Sequence, residues 1–195
     1  MSIIYILMTK RICFLYTETN GLHKTNDEIT KKNLFSFARL VVLNYEIGIV
    51  DNGEYIIEQN IKQIIKPRCM IIPEETIQYH GISQEKALGK GKDPEEVLNI
   101  FKTNLKNVDI LVTHSADFHL KTILAESLKY NISIDFNKII IVDTISFYHS
   151  FGFLKLKDLA LKLKIKDIQE NNKHNIELIR NIFFKLYSKF QKSLI

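Results

Sequence analysis

The chain has 195 residues, of which 46% are hydrophobic and 25% are charged, and its formal net charge is +5. These proportions are typical of a folded globular protein and exclude an intrinsically disordered chain. Two cysteines, Cys13 and Cys69, are too few for a disulfide framework, and no apolar run is long enough to cross a bilayer. We therefore expect a single domain over residues 1–195, with residues 1–8 as a candidate N-terminal extension. We also expect an intracellular protein of the cytoplasm or nucleus that is not secreted and has no membrane partner.

Three strands are predicted in the first third of the chain. Residues 11–18 alternate between apolar and polar, which is the pattern of a half-buried strand. After a polar, lysine-rich loop at 23–37, residues 38–50 are apolar and β-branched. The Asp-Asn-Gly sequence at 51–53 is a hairpin turn signal, so residues 54–59 are predicted to return beside the second strand. Together these strands predict an antiparallel meander.

The rest of the chain alternates between helices and short strands. Asp93 precedes Pro94, and Glu96 follows three residues after Asp93, which is the pattern of a helix N-terminus. This helix is predicted to end near Asn107. The other predicted elements are short buried strands at 109–113 and 138–144 and helices at 116–129, 154–164 and 175–190. The chain thus begins with consecutive strands and continues with strands that alternate with helices. This order predicts an α/β fold in which helices cover a mixed sheet.

The first predicted strand carries one carboxylate where a metal site would need two. The sequence from Phe14 to Leu22 is Phe-Leu-Tyr-Thr-Glu-Thr-Asn-Gly-Leu. Tyr16 and Glu18 are two residues apart and therefore point to the same side of the strand. Two carboxylates at these positions would form a platform for a divalent cation, but only Glu18 is acidic.

Two other segments carry histidines near the ends of predicted elements. A strand runs into a helix through His114, and His119 lies near the start of that helix. His174 lies at the start of the last helix, five residues before Ile179. Ile179 falls on an apolar stripe of this helix and is predicted to lie in the core. The stripe comprises Ile176, Ile179, Phe183, Leu186 and Phe190.

These segments, in this order, resemble the motifs of the DEDDh-type 3′–5′ exonucleases, the branch typified by the proofreading epsilon subunit of bacterial replicative polymerase. The family pattern F-x-D-x-E-T-T-G-L matches residues 14–22, and H-N-A-x-F-D matches residues 114–119. The family's His and Asp, five residues apart, match His174 and Ile179. Residues 79–83, Tyr-His-Gly-Ile-Ser, are similar to its H-G-I-T segment. The resemblance covers nearly the whole chain and implies a ribonuclease H-like exonuclease fold, with a mixed five-stranded sheet flanked by helices.

The resemblance also implies a site in which most metal-binding acids are replaced. The family's four carboxylates correspond to Tyr16, Glu18, His119 and Ile179, while its general base is retained as His174. The family uses Mg²⁺ or Mn²⁺, and two such ions about 4 Å apart need hard oxygen ligands. We therefore expect no cofactor, and Glu18 is the one remaining metal ligand at these positions. The family's substrate-binding positions correspond to Thr19, Gly21, Leu22, His114 and Phe118.

Three functional hypotheses fit this pattern. The first is a catalytically degenerate exonuclease-like domain, retained to bind single-stranded nucleic acid 3′ ends, a polymerase or another protein. The second is an active 3′–5′ exonuclease on DNA or RNA, with a rearranged or transition-metal site formed by Glu18, His119 and His174. The third is a scaffolding protein without nucleic-acid contact. Salt distinguishes nucleic-acid binding from the scaffolding hypothesis, because phosphate binding weakens steeply with salt and an apolar protein interface does not.

Several polar residues near these motifs also have structural interpretations. Glu18 can be a carboxylate that is hydrogen-bonded at a turn, and the ring of His114 can cap the helix that follows it. Asp143 is predicted to cap or orient the segment after its strand, and His80 is predicted to lie at a turn. Asp117 is two residues from His119 on a helix, so it is predicted to point away from the site.

Overall fold

A five-stranded mixed sheet lies at the centre of the fold. The computed structural model describes residues 10–51, 54–146, 154–165 and 175–192, and the sheet has the strand order β3-β2-β1-β4-β5. The strands are β1 (Arg11–Thr19), β2 (Leu40–Asp51), β3 (Glu54–Ile64), β4 (Ile110–Thr113) and β5 (Ile140–Asp143). The α-helices in these ranges are α1 (Glu74–His80), α2 (Gln84–Lys90), α3 (Pro94–Asn104), α4 (Ala116–Lys129), α5 (Leu156–Lys162) and α6 (Asn175–Lys192). In the same ranges, no helix is long and apolar enough to cross a membrane.

The strand pairing agrees with the sequence prediction. β1, β2 and β3 pair antiparallel, as the predicted meander requires, and β1, β4 and β5 pair in parallel. The predicted mixed sheet with flanking helices is therefore confirmed. Three predicted features lie outside the described residues, namely the N-terminal extension at 1–8, the turn residues 52–53 and His174.

The side chains of β1 contribute to two separate layers of the core, because they alternate between the faces of the sheet. Ile12 and Phe14 pack with apolar residues of α5 and α6. Cys13 and Leu15 pack on the other face with residues of α3 and α4. All four are fully buried. The sheet is thus covered on both faces, and β1 extends beyond the C-terminal end of its parallel neighbour β4.

Most predicted helices are found near their predicted bounds. The Oδ1 atom of Asp93 caps α3, since it accepts from the backbone N–H groups of Glu95 (2.9 Å) and Glu96 (3.3 Å). The two helices between β3 and α3, namely α1 and α2, were not predicted. The prediction that β5 is buried is wrong. This strand lies at the edge of the sheet, and Ile140 is 62% exposed.

An ion pair and aromatic packing together fix α6 on the sheet. Nη1 of Arg180 donates to both carboxylate oxygens of Glu46 on β2, at 2.7 and 2.8 Å, and Asn60 Nδ2 donates to Oε2 at 3.2 Å. Glu46 is only 2% exposed, so its charge depends on these partners. On the same helix, the ring of Phe183 packs edge-on against Phe14 with centroids 5.7 Å apart.

Removing one partner of this ion pair should destabilise the protein strongly. Arg180→Met leaves the buried Glu46 carboxylate uncompensated, so we expect the free energy of unfolding to fall by about 3–5 kcal/mol. The double variant Glu46→Met/Arg180→Met removes both charges and should recover most of that loss. Urea unfolding measures both changes, with Asn181→Gln on the exposed side of α6 as the control. A double variant no more stable than Arg180→Met would contradict this account.

Candidate functional site

A cleft of about 600 Å³ lies at the C-terminal ends of β1 and β4, where α4 begins. The two strands are parallel neighbours, so residues that are distant in the sequence meet at one end of the sheet. The cleft is lined by the predicted residues of the first two motifs, namely Tyr16, Glu18, Thr19, Gly21, Leu22, His114, Phe118 and His119. Ile179 is not among the lining residues, and His174 lies outside the described part of the chain.

Tyr16 and Glu18 both line the cleft from β1, as their spacing predicts. Burial and the neighbouring Glu18 carboxylate raise the pKa of the Tyr16 hydroxyl, which therefore stays protonated at neutral pH. Burial raises the pKa of Glu18 to about 7, although the positive charge of Lys62 opposes this shift. No described residue donates a hydrogen bond to the Glu18 carboxylate, and Glu18 lies within a strand. Its interpretation as a hydrogen-bonded carboxylate at a turn is therefore wrong.

His119 is buried against the backbone of β1. It is 4% exposed, and its Nδ1 accepts a hydrogen bond from the backbone N–H of Thr17 at 3.2 Å, with the Thr17 hydroxyl at 2.7 Å. Because a backbone N–H can only donate, Nδ1 is unprotonated and the neutral ring carries its proton on Nε2. Burial lowers the pKa of His119 to about 4. The Tyr16 ring packs on the His119 ring with centroids 4.9 Å apart, so the two form a neutral wall.

Ile179 lies in the core, as the apolar stripe predicts. Its exposure is 0%, and it belongs to the same buried cluster as Phe14 and Phe183. Ile176 and Leu186 of the stripe are also buried there, while the side chain of Phe190 lies outside the described residues. The position that corresponds to a metal-binding acid in the family is thus filled by an aliphatic side chain of the core.

His114 joins two segments beside the cleft and does not cap α4. Its Nε2 lies 2.9 Å from the carbonyl oxygen of Leu154 and donates to it, which leaves Nδ1 to accept from the Thr144 hydroxyl at 2.8 Å. Burial lowers the pKa of His114, in keeping with a neutral ring. The interpretation of His114 as a helix cap is therefore wrong.

The carboxylate of Asp143 caps the start of α4. It accepts from the backbone N–H groups of Ser115 (3.0 Å) and Ala116 (2.7 Å), and also from Ile145 (3.0 Å). The predicted capping of the segment after β5 is confirmed by the bond from Ile145, and the bonds to α4 were not predicted. Ser115 has a left-handed φ of 72°, and these bonds hold the strained turn that places α4 over β1.

The mouth of the cleft is formed by a loop after β1 and by an aromatic group. Thr19 Oγ1 donates to the Gly21 carbonyl at 2.7 Å, and Leu22 is 80% exposed. The Phe118 ring lies 4.7 Å from the ring of His23, whose Nε2 donates to the Phe118 carbonyl at 3.1 Å. An apolar and aromatic rim can contact bases by stacking.

Some residues of the cleft were missed in the sequence. They are Thr17, Thr76, Tyr79, Ser115, Lys155 and Leu156, together with His80, which was assigned only to a turn. His80 is the last residue of the helix α1, and the chain turns at the next residue, Gly81, whose φ is 69°. The prediction that His80 itself lies at a turn is therefore wrong by one residue. Tyr79 precedes His80 in the segment 79–83, which is similar to the family's H-G-I-T segment. That similarity could have identified Tyr79 as a residue of the cleft. Lys155 immediately precedes α5 and lies outside the motifs matched above. Nothing in the sequence therefore identified it.

The comparison with protein families identifies the family of this chain. An exonuclease family model, RNase T, matches residues 14–175. The chain belongs to this exonuclease family, and the resemblance to DEDDh-type 3′–5′ exonucleases seen in its motifs is confirmed. A comparison with curated proteins finds no significant match.

Solved structures share this fold at low sequence identity. A product-bound exonuclease I superposes with a TM-score of 0.70 at 11% identity, over 92% of this chain and 43% of that one. E. coli exonuclease I in complex with a dA16 oligonucleotide superposes with a TM-score of 0.69 at 12% identity, over 93% of this chain and 41% of that one. The nuclease domain of 3′hExo, a DEDDh family member bound to rAMP, superposes with a TM-score of 0.66 at 16% identity, over 94% of this chain and 92% of that one. The chain therefore spans about two fifths of the exonuclease I chains and nearly all of the 3′hExo domain.

Glu18 and His119 should shift the pH dependence of stability in opposite directions. The pKa of His119 falls from 6.5 to about 4 on folding, so its contribution is lost as the pH drops from about 6.5 to 4. The full loss is on the order of 3 kcal/mol. The pKa of Glu18 rises from 4.5 to about 7, so its contribution is lost as the pH rises from about 4.5 to 7.

Urea unfolding between pH 4 and 8 measures these contributions. Relative to the parent, His119→Asn should lose less stability on acidification, and Glu18→Gln should lose less as the pH rises towards 7. An asparagine amide can still accept from Thr17 without titrating, which makes it the matched replacement for His119. If both variants show the same pH dependence of stability as the parent, the pKa values of Glu18 and His119 are not shifted by burial as described.

Proposed function

We propose that this chain is a catalytically degenerate exonuclease domain, which binds the 3′ end of a single-stranded nucleic acid and does not hydrolyse it. The observation that carries the proposal is the position of Ile179. It is fully buried in the core, where the family places a metal-binding acid. An aliphatic side chain has no ligand atom, so this corner of the family's site cannot contribute to holding a cation.

The side chains at the other family positions do not fit a pair of magnesium ions. Mg²⁺ prefers anionic oxygen ligands in octahedral geometry, and two such ions bring four positive charges. Tyr16 is a protonated phenol, and His119 is a neutral imidazole whose Nδ1 already accepts from Thr17. Glu18 alone cannot offset the charge. Among the residues with a described position, no three His, Cys, Asp or Glu side chains are grouped so that they could hold a metal ion.

A transition-metal site is the competing hypothesis, since His119 and Glu18 do line the same cleft. The hydrogen bonds from Thr17 weaken it, because they occupy the lone pair on Nδ1 and leave a proton on Nε2. Binding a metal through His119 would first require breaking this buried contact. The same hypothesis needs His174, which lies outside the described residues.

The cleft itself supports binding of a strand end. Its rim carries Leu22, Tyr79 and Phe118, whose apolar and aromatic surfaces can contact bases. The net charge of +5 favours association with a polyanion. Among structures of similar fold, exonuclease I is seen with dA16 and dT13 oligonucleotides and in a complex with SSB-Ct. We extend only the first of these partners, a single strand, to this chain.

A paired binding and hydrolysis experiment tests the proposal. Purified protein is incubated with 3′-labelled single-stranded DNA or RNA in Mg²⁺, Mn²⁺, Zn²⁺ or EDTA, and release of the label is followed. We expect no release in any metal. Fluorescence anisotropy should detect binding of the same strands in EDTA, weaker binding of a circular strand without ends, and steep weakening with salt.

Two variants separate a true activity from a contaminant. Metal-dependent release that Glu18→Gln and His174→Ala abolish would overturn the proposal in favour of an active enzyme. Release that neither variant changes would come from another nuclease. Absence of binding to any strand at low salt would favour the scaffolding hypothesis instead.

A further inference from the structure

A small polar hollow of about 240 Å³ lies between β2, β3 and the start of α6. It is separate from the cleft and is not part of any family motif matched above. Its polar lining consists of Asn44, Glu46, Asn60, Lys62, Glu177 and Arg180. The hollow combines a lysine, amides and an ion pair, which is the chemistry of a site for a charged, oxygen-rich group.

The strand register places this hollow beside the cleft. Tyr16 on β1 pairs with Asn44 on β2, and Asn44 pairs with Lys62 on β3. Directly paired residues point to the same face of a sheet, and neighbouring strands are about 4.8 Å apart. Lys62 is therefore two strand spacings from Tyr16 on the face that carries the cleft. Its charge is felt there, since it opposes the rise in the pKa of Glu18 that burial causes.

The hollow is lined by two cations, Lys62 and Arg180, and by two acids, Glu46 and Glu177. Arg180 and Glu46 neutralise each other through their two short hydrogen bonds. Glu177 is exposed at the rim and is engaged in an interaction of its own. Lys62 forms no hydrogen bond or ion pair with any residue that the structure describes. One unpaired ammonium fits a ligand group that carries a single negative charge.

Asn44 provides a second potential contact for a ligand. The residue is 8% exposed, and its side-chain amide forms no hydrogen bond within the described chain. The amide is open to the hollow and not sealed in the core, so it can donate to and accept from a group that enters there. The amide lines the hollow next to Lys62, so the two can bind the same group. A lysine and an amide together can bind the anionic oxygens of a phosphate.

We propose that this hollow binds one phosphodiester of the strand whose end occupies the cleft, with Lys62 and Asn44 as the contacting residues. The identification of the natural ligand as a nucleic-acid strand rests on the proposed function above. The inference that the hollow binds a phosphate group does not depend on it. In this arrangement the chain's own lysine neutralises a backbone phosphate. Strand binding would then require no divalent cation at this position.

Binding of a labelled single strand in EDTA, across a series of salt concentrations, tests the proposal. Lys62→Gln should weaken binding roughly tenfold at low salt, as expected for loss of one charged phosphate contact. It should also reduce the slope of log affinity against log salt by about 0.7. Lys102→Gln is the matched control, since Lys102 is exposed on α3, which covers the opposite face of the sheet.

Asn44→Leu separates a binding role from a structural one. It should weaken strand binding without lowering the free energy of unfolding, because no hydrogen bond within the described chain is lost. Equal strand binding by the parent, Lys62→Gln and Lys102→Gln would overturn the phosphate site and leave the proposed function standing.

A small probe distinguishes the two proposals if no strand binds. Dimethyl phosphate, a minimal phosphodiester, is titrated while the side-chain amide NMR signal of Asn44 is followed. A shift in the parent that Lys62→Gln removes would support the phosphate site while the proposed function fails. No shift, together with no strand binding, would overturn both.

Discussion

The packing of α6 against β1 is the contact on which the rest of the site depends. Phe183 on the helix meets Phe14 on the strand, and the Arg180–Glu46 ion pair holds the same helix on β2. With the helix held in this register, Ile179 must lie in the core. An acid at that position would be buried among apolar side chains without a partner, which costs several kcal/mol unless a cation compensates it. The helix that would complete a metal site in the family therefore completes the core here.

The lining of the cleft itself is formed in part by neutral side chains that pair with one another. His119 is tied to Thr17 and stacked against Tyr16, so the wall is neutral and satisfied without an ion. Clustered carboxylates repel one another when no metal is bound, and neutral replacements remove that repulsion. Glu18 is left as a single carboxylate, and burial raises its pKa to about 7. These features support the proposed binding of a strand end in the cleft.

Much of the fold could be predicted from the sequence, because it depends on patterns that are local in the chain. The periodicity of the last helix placed Ile179 in the core, and the Asp-Asn-Gly turn signal between strand-like segments predicted the meander. The partners of buried polar groups could not be predicted, since they depend on how distant segments meet. The Thr17–His119 bonds and the Asp143 cap on α4 are of this kind. Lys62 was missed for the same reason, because strand alternation does not reveal its register with β2.

Isothermal titration of the metal-free protein with Mg²⁺ and Mn²⁺ measures whether the cleft has lost the metal site of the family. We expect no binding of either ion at the cleft, because one carboxylate cannot offset the charge of a two-metal site. Glu18→Gln should therefore give the same titration as the parent. Binding of either ion that Glu18→Gln abolishes would contradict the account, since it would mean that the chain has assembled a working metal centre around the one acid it retains.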